Sequence, residues 1–228
     1  MNLRAFSLFV ALLAFSAGPS RAEEGKGGRL LFVGNSITLH GPSEAVGWTG
    51  NWGMAASAAE KDYVHLVVEA VAKRRGSRPE FRVVNVAEFE RDFEKYDPAA
   101  KLKDLIAFEP DTVIVAIGEN VPALKTEEAK AKFKESTVRL LTLLKGEGTT
   151  LYLRSCFWAD ATKDSLLKEA CNTARGVFVD ISALDKDKAN FARAEREIAH
   201  AGVARHPGDQ GMKAIADALI VAMEKAPK

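Results

Sequence analysis

Three short segments carry side chains suited to acyl transfer. Gly34-Asn35-Ser36-Ile37-Thr38 offers a hydroxyl, Gly118-Glu119-Asn120 a side-chain amide, and His206-Pro207-Gly208-Asp209 an imidazole. A serine hydroxyl attacks a carbonyl well only when a base takes its proton, and imidazole is that base near neutral pH. The tetrahedral intermediate then carries an oxyanion, which amide N–H groups stabilise. Taken singly, each segment also has an ordinary reading: a turn serine, a turn asparagine, and a histidine beside a proline at a helix entrance. What they do depends on whether the fold brings them together.

The surrounding pattern alternates strand and helix. Segments 29–34, 81–86, 111–117, 149–154 and 177–181 read as strands, the first of buried type and 111–117 a continuous β-branched run, so buried as well. Helical periodicity runs through 61–75, 98–108, 127–145, 163–175 and 211–225. On the first of these helices Val64, Val67, Val68 and Val71 share a face; on the last, Met212, Ile215, Ala216, Leu219, Ile220 and Met223 do. Alternation of this kind predicts an α/β fold: one doubly wound, five-stranded parallel sheet between two helical layers, flavodoxin-like. No linker or repeat divides the chain, so residues 23–228 are expected to form a single domain. Sites on such sheets lie outside the carboxyl ends of the strands. Ser36 follows the first strand, Asn120 the third, and His206 precedes the last helix, so all three are expected at one edge.

At this point the chain resembles the SGNH (GDSL-like) hydrolase superfamily over nearly the whole of its length after the leader. Leu31-Phe-Val-Gly-Asn-Ser36 is similar to the first block of that family, in a GNS rather than GDS form; Gly118-Glu-Asn120 matches the G-x-N block, and His206-Pro207 the H-P block. The resemblance implies Ser36 as nucleophile, His206 as general base, and the Ser36 N–H with the Asn120 side chain as oxyanion donors. It implies no metal and no organic cofactor. Two departures stand out. The family usually has an acid three residues before the histidine, where this chain has Val203. Either a backbone carbonyl near Val203 holds the imidazole, which is the expectation, or Glu88 or Glu90 does. The family also usually supplies a glycine N–H to the oxyanion hole after the second strand. Asn85-Val-Ala-Glu-Phe-Glu-Arg91 has none, so the N–H of Glu90 or a neighbour is expected there. A carboxylate at that place calls for a cation, either Arg91 or Arg154.

Residues 1–22 read as a cleaved leader. A basic start at Arg4, an apolar run from Ala5 to Phe15 and Ser20-Arg21-Ala22 follow the order of a signal peptide. The run is shorter than the ~20 residues that span a bilayer. The expected product is secreted or periplasmic, with no membrane span. The whole chain has 32 basic and 31 acidic residues, and 30 basic and 31 acidic remain after the leader. That balance lacks the cationic excess of a nucleic-acid binder. An apolar fraction of 47% in 228 residues excludes a disordered chain. Cys156 and Cys171 are open between a bridge and two buried thiols, and a strand end and a mid-helix position weigh against the bridge. His40, His65 and His200 form no metal-ligand spacing.

Between Ser36 and the first helix lies a long insert that holds Trp48 and Trp52, while Trp158 follows the fourth strand. Loops over an α/β site set specificity, and indole faces suit sugars. Trp48, Trp52, Trp158 and Arg154 are therefore the candidate substrate contacts, with packing of the loop as the alternative for each tryptophan. No long apolar lid is present. The expected function is a serine esterase removing acetyl or other short acyl groups from a small molecule or polysaccharide. A carbohydrate O-acyltransferase using the same serine, and a non-catalytic glycan-binding module, are the alternatives.

Overall fold

The structure is a computed structural model and describes residues 28–225. The proposed leader lies outside the described residues. Strands β1 (Arg29–Gly34), β2 (Glu80–Asn85), β3 (Thr112–Ala116), β4 (Thr150–Arg154) and β5 (Val177–Val179) form one sheet in the order β2-β1-β3-β4-β5, every pair parallel. The main helices are α1 (Tyr63–Arg75), α5 (Glu127–Leu144), α6 (Ala161–Thr173) and α9 (Asp209–Lys225). Short helices α2 (Ala87–Arg91), α3 (Pro98–Lys101), α4 (Lys103–Ile106), α7 (Ala192–Glu195) and α8 (Ala201–Ala204) complete the connections. The expected helix over 98–108 is thus two short helices, joined at Leu102, which is turned inward and buried.

Successive strand residues point to opposite faces, so each central strand feeds two cores. Leu31, Val33, Val113 and Val115 pack beneath Phe133, Leu140 and Leu141 of α5. Leu30, Phe32 and Ile114 pack on the other face against Val64, Val67 and Val68 of α1 and Met212, Ile215 and Leu219 of α9. This gives the three layers and explains why the central strands lack polar alternation. Side chains cap the helices: Asp62 accepts the His65 N–H at the start of α1, Thr126 the Ala129 N–H of α5, and Asp160 two N–H groups of α6.

Cys156 and Cys171 are both free and buried, so no bridge forms between them. The charged stretch 185–197 is tied to the body of the fold: Asn190, Phe191 and Ala192 are buried, and the Ala192 N–H donates to the His206 carbonyl. No helix of the described residues is long and apolar enough to cross a membrane.

Candidate active site

The three segments meet at the carboxyl edge of the sheet. β1 ends at Gly34, where a Cβ would collide with the Thr38 side chain and lie 2.9 Å from the Ala116 carbonyl oxygen. Only glycine lets the chain turn there against β3. The turn that follows is knitted by Asn35, whose carbonyl accepts the N–H groups of Thr38 and Leu39. Ser36 sits in that turn, half-buried, and its carbonyl accepts the Met54 N–H from the insert. The Ser36 N–H has no acceptor among the described residues.

Ser36 Oγ lies 2.9 Å from His206 Nε2, across 170 residues of chain. His206 Nδ1 lies 2.8 Å from the Gly202 carbonyl oxygen. A carbonyl only accepts, so Nδ1 carries the hydrogen and Nε2 of the neutral ring is left to receive the serine proton. Among the described residues no carboxylate hydrogen-bonds the imidazole. Glu88 is engaged with Lys101 at 3.1 Å and Glu90 with Asn120. Burial lowers the His206 pKa, partly offset by the Gly202 carbonyl, which favours the charged ring. The Trp158 ring stands edge-on to His206, with centroids 5.2 Å apart and planes at 90°.

Beneath the serine lies a buried polar network. Glu90 is fully buried and accepts from Asn120 Nδ2 at 2.6 Å, Gly118 N at 2.5 Å and Asn35 Nδ2 at 3.0 Å. Asn35 Nδ2 also donates to Glu119 at 2.7 Å. Glu119 pairs with the buried Arg154 guanidinium at 2.6 Å and accepts the Phe157 N–H at 2.9 Å. Burial, and then the nearby Glu119 charge, raise the Glu90 pKa. Burial also presses Glu119 upward, but the Arg154 cation and its hydrogen bonds hold that carboxyl below its ordinary value. Gly118 is required at the β3 exit: its φ is +122°, and a Cβ there would lie 2.5 Å from Cys156 Sγ.

Several sequence expectations need correcting. The Glu90 N–H donates to the Val86 carbonyl at 3.4 Å as α2 begins, so it does not face an oxyanion; the side chain matters instead, through Asn120. Arg154 is 0% exposed and cannot touch substrate; its partner is Glu119, not Glu90. Trp48, Trp52 and Trp158 donate their indole N–H groups to the carbonyls of His40, Ala56 and Arg205. Trp48 and Trp52 stack edge to face, centroids 5.5 Å apart, and neither forms part of the cleft wall. They pack the insert on itself, while Trp158 braces the histidine.

A cleft of about 320 Å³ opens over Ser36 and His206. Val46, Met54, Ala87 and Val203 give it apolar wall, and Asn120 lines it together with Ser36. Asn120 Nδ2 spends one hydrogen on Glu90 and keeps the other. His40, Arg91 and His200 also line this cleft. His40 and His200 lie 160 residues apart in the chain without a motif, so nothing in the sequence joins them. Among the described residues no group of three or more His, Cys, Asp or Glu is arranged to hold a metal ion.

No family model matches the chain, and no curated protein matches it. Solved structures do. A two-domain esterase active on acetylated mannans aligns with a TM-score of 0.57 at 19% identity, over 88% of this chain and 50% of that one. This chain therefore spans about half of that protein. An acetyl xylan esterase aligns with a TM-score of 0.53 at 16% identity, over 85% of this chain and 98% of that one. A provisionally named GDSL-like lipase from Bacteroides uniformis ATCC 8492 aligns with a TM-score of 0.55 at 14% identity, over 87% and 96%. At these identities the likeness concerns the fold: the chain has the α/β fold of GDSL-like (SGNH) hydrolases.

Proposed function

We propose that this protein is a serine esterase that removes acetyl or other short acyl groups from carbohydrate. The observation that carries the proposal is the relay from Ser36 Oγ through His206 Nε2, at 2.9 Å, to the Gly202 carbonyl behind Nδ1, at 2.8 Å. His206 takes the hydroxyl proton as Ser36 Oγ bonds to the acyl carbon. The carbonyl oxygen becomes an oxyanion, held by the Ser36 N–H and the free hydrogen of Asn120 Nδ2. His206 then gives the proton to the departing sugar oxygen, leaving an acyl-serine. Water, deprotonated by the same ring, attacks the acyl-serine and releases the acid. The Gly202 carbonyl fixes the tautomer, as a carboxylate does in a triad, but adds no full charge to steady the imidazolium.

The short acyl group is supported by the small cleft, about 320 Å³, and by the absence of an apolar lid in the insert. The carbohydrate reading is supported by the neighbours whose names give acetylated mannans and acetyl xylan as substrates, and it agrees with the signal-peptide pattern expected over 1–22. It does not rest on the tryptophans. The test is hydrolysis of p-nitrophenyl acetate and of acetylated glycans by the wild type and by Ser36→Ala. The expected result is acetate release that Ser36→Ala reduces by at least 10³-fold with its fold intact, since a triad-type nucleophile contributes on that scale. Undiminished turnover in the folded variant would refute the proposal.

A further inference from the structure

The cleft wall carries a bias that ester hydrolysis itself does not require. Among the residues lining it none is Asp or Glu, and Arg91 is its one permanent charge. Arg91 ends α2, is exposed, and takes part in no ion pair or hydrogen bond among the described residues. The acids near it in the chain are engaged elsewhere: Glu88 with Lys101, Glu90 with Asn120, Asp92 with Lys95. His200 Nδ1 accepts the Val203 N–H at 3.3 Å, so its neutral ring must carry the hydrogen on Nε2. His200 therefore offers a donor at Nε2. Asn85 has both ends of its amide in use, on the Leu39 carbonyl and the Ala87 N–H. The neutral His40 ring, with Nδ1 on the Gly41 carbonyl at 2.6 Å, keeps Nε2 as an acceptor.

A neutral sugar presents hydroxyls, which need acceptors as well as donors. This wall offers acceptors in His40 Nε2 and Asn120 Oδ1, but what sets it apart is a guanidinium without a counter-charge. A planar fork of N–H groups matches a carboxylate with two parallel hydrogen bonds. We propose that the acylated sugar is an acidic one, whose carboxylate Arg91 binds with His200 as a second donor. This rests on the esterase reading and adds the substrate's charge to it.

The experiment measures acetate release from methyl glycosides of O-acetylated glucuronic and galacturonic acid, and from the carboxamides of the same sugars. The wild type, Arg91→Gln and Arg91→Lys are compared, with p-nitrophenyl acetate as the uncharged control. The reading is the ratio of kcat/KM for acid over amide. Hydrogen bonds to charged groups exceed neutral ones by about a tenfold effect in binding, so a wild-type ratio of about ten or more is expected. Arg91→Gln should bring the ratio near one, Arg91→Lys should keep part of it, and added salt should lower it. A wild-type ratio of one or less, or a ratio that Arg91→Gln leaves unchanged, overturns the proposal. So does hydrolysis of p-nitrophenyl acetate with neither acid glycoside cleaved. If no ester of any kind is hydrolysed, the esterase reading fails and this proposal goes with it.

Discussion

Asn35 shows most directly why a residue of this site has the type it has. Its amide nitrogen faces two buried carboxyl groups, Glu90 at 3.0 Å and Glu119 at 2.7 Å, and its oxygen accepts the Ile37 N–H. An aspartate here would set a third carboxyl against the other two and remove the donor they share. Asn35→Asp is therefore expected to cost about 3–5 kcal/mol, the usual penalty for leaving buried charge uncompensated. For a chain of this size that lowers Tm by on the order of 10 °C. Part of the loss should return at low pH, where the carboxyls take protons. Melting curves at neutral and acidic pH measure both effects, and an unchanged melt would mean that the amide does not bridge charged groups. His206 gives a second expectation. Burial disfavours its charged form, so the neutral base persists below the ordinary value of 6.5. The acidic limb of kcat/KM should then have its midpoint below 6.5. A midpoint above it would point to a carboxylate beside the ring rather than the Gly202 carbonyl.

At the scale of elements, the base is held by a clamp built from distant parts of the chain. The first free N–H groups of α9, those of Asp209 and Gln210, donate to the Glu195 carboxylate at 2.8 and 2.7 Å. Asp209 in turn accepts from the N–H and hydroxyl of Ser57, at the end of the insert, at 2.7 and 2.6 Å. Serine segment, α7 and the start of α9 are thus tied together around His206-Pro207. Glu195→Ala should remove about 1–2 kcal/mol of capping stability. It should also lower kcat at temperatures well below its melt, because the histidine loses its anchor. A lowered melt with unchanged kcat would mean that Glu195 holds only the helix. None of this clamp is legible in the sequence. Helix capping by a residue 14 positions away leaves no local pattern, and the charged run around Glu195 looks like ordinary solvated surface. The strands and main helices are legible to within two residues or so, because the apolar runs of the central strands and the valine stripe of α1 report burial directly. The helix over 98–108 was not, since its periodicity gives no sign of the distortion at Leu102.

Across the whole molecule, chemistry gathers at one edge because parallel strands all end there. That topological rule made Ser36, Asn120 and His206 readable as one site before any distance was known. It could not reveal what lies beneath them. Glu90, Glu119 and Arg154 are joined, through Asn35 and to Asn120, by pairings 30 to 84 residues apart, and a sequence with these charges reads equally well as loop and surface. The tryptophans misled for a related reason: an indole in a loop has the same letter whether it faces substrate or packs the loop down. A histidine held by a carbonyl at this sheet edge, with a serine hydroxyl within its reach, is the feature on which the proposed function depends. Its most direct test is covalent labelling with an alkyl fluorophosphonate. Serine Oγ attacks phosphorus, fluoride leaves, and the adduct is read by mass. The expected result is one adduct per chain, on the tryptic peptide 30–61 at Ser36, formed far more slowly in His206→Ala. No adduct on the folded protein, or one on a different serine, would contradict it.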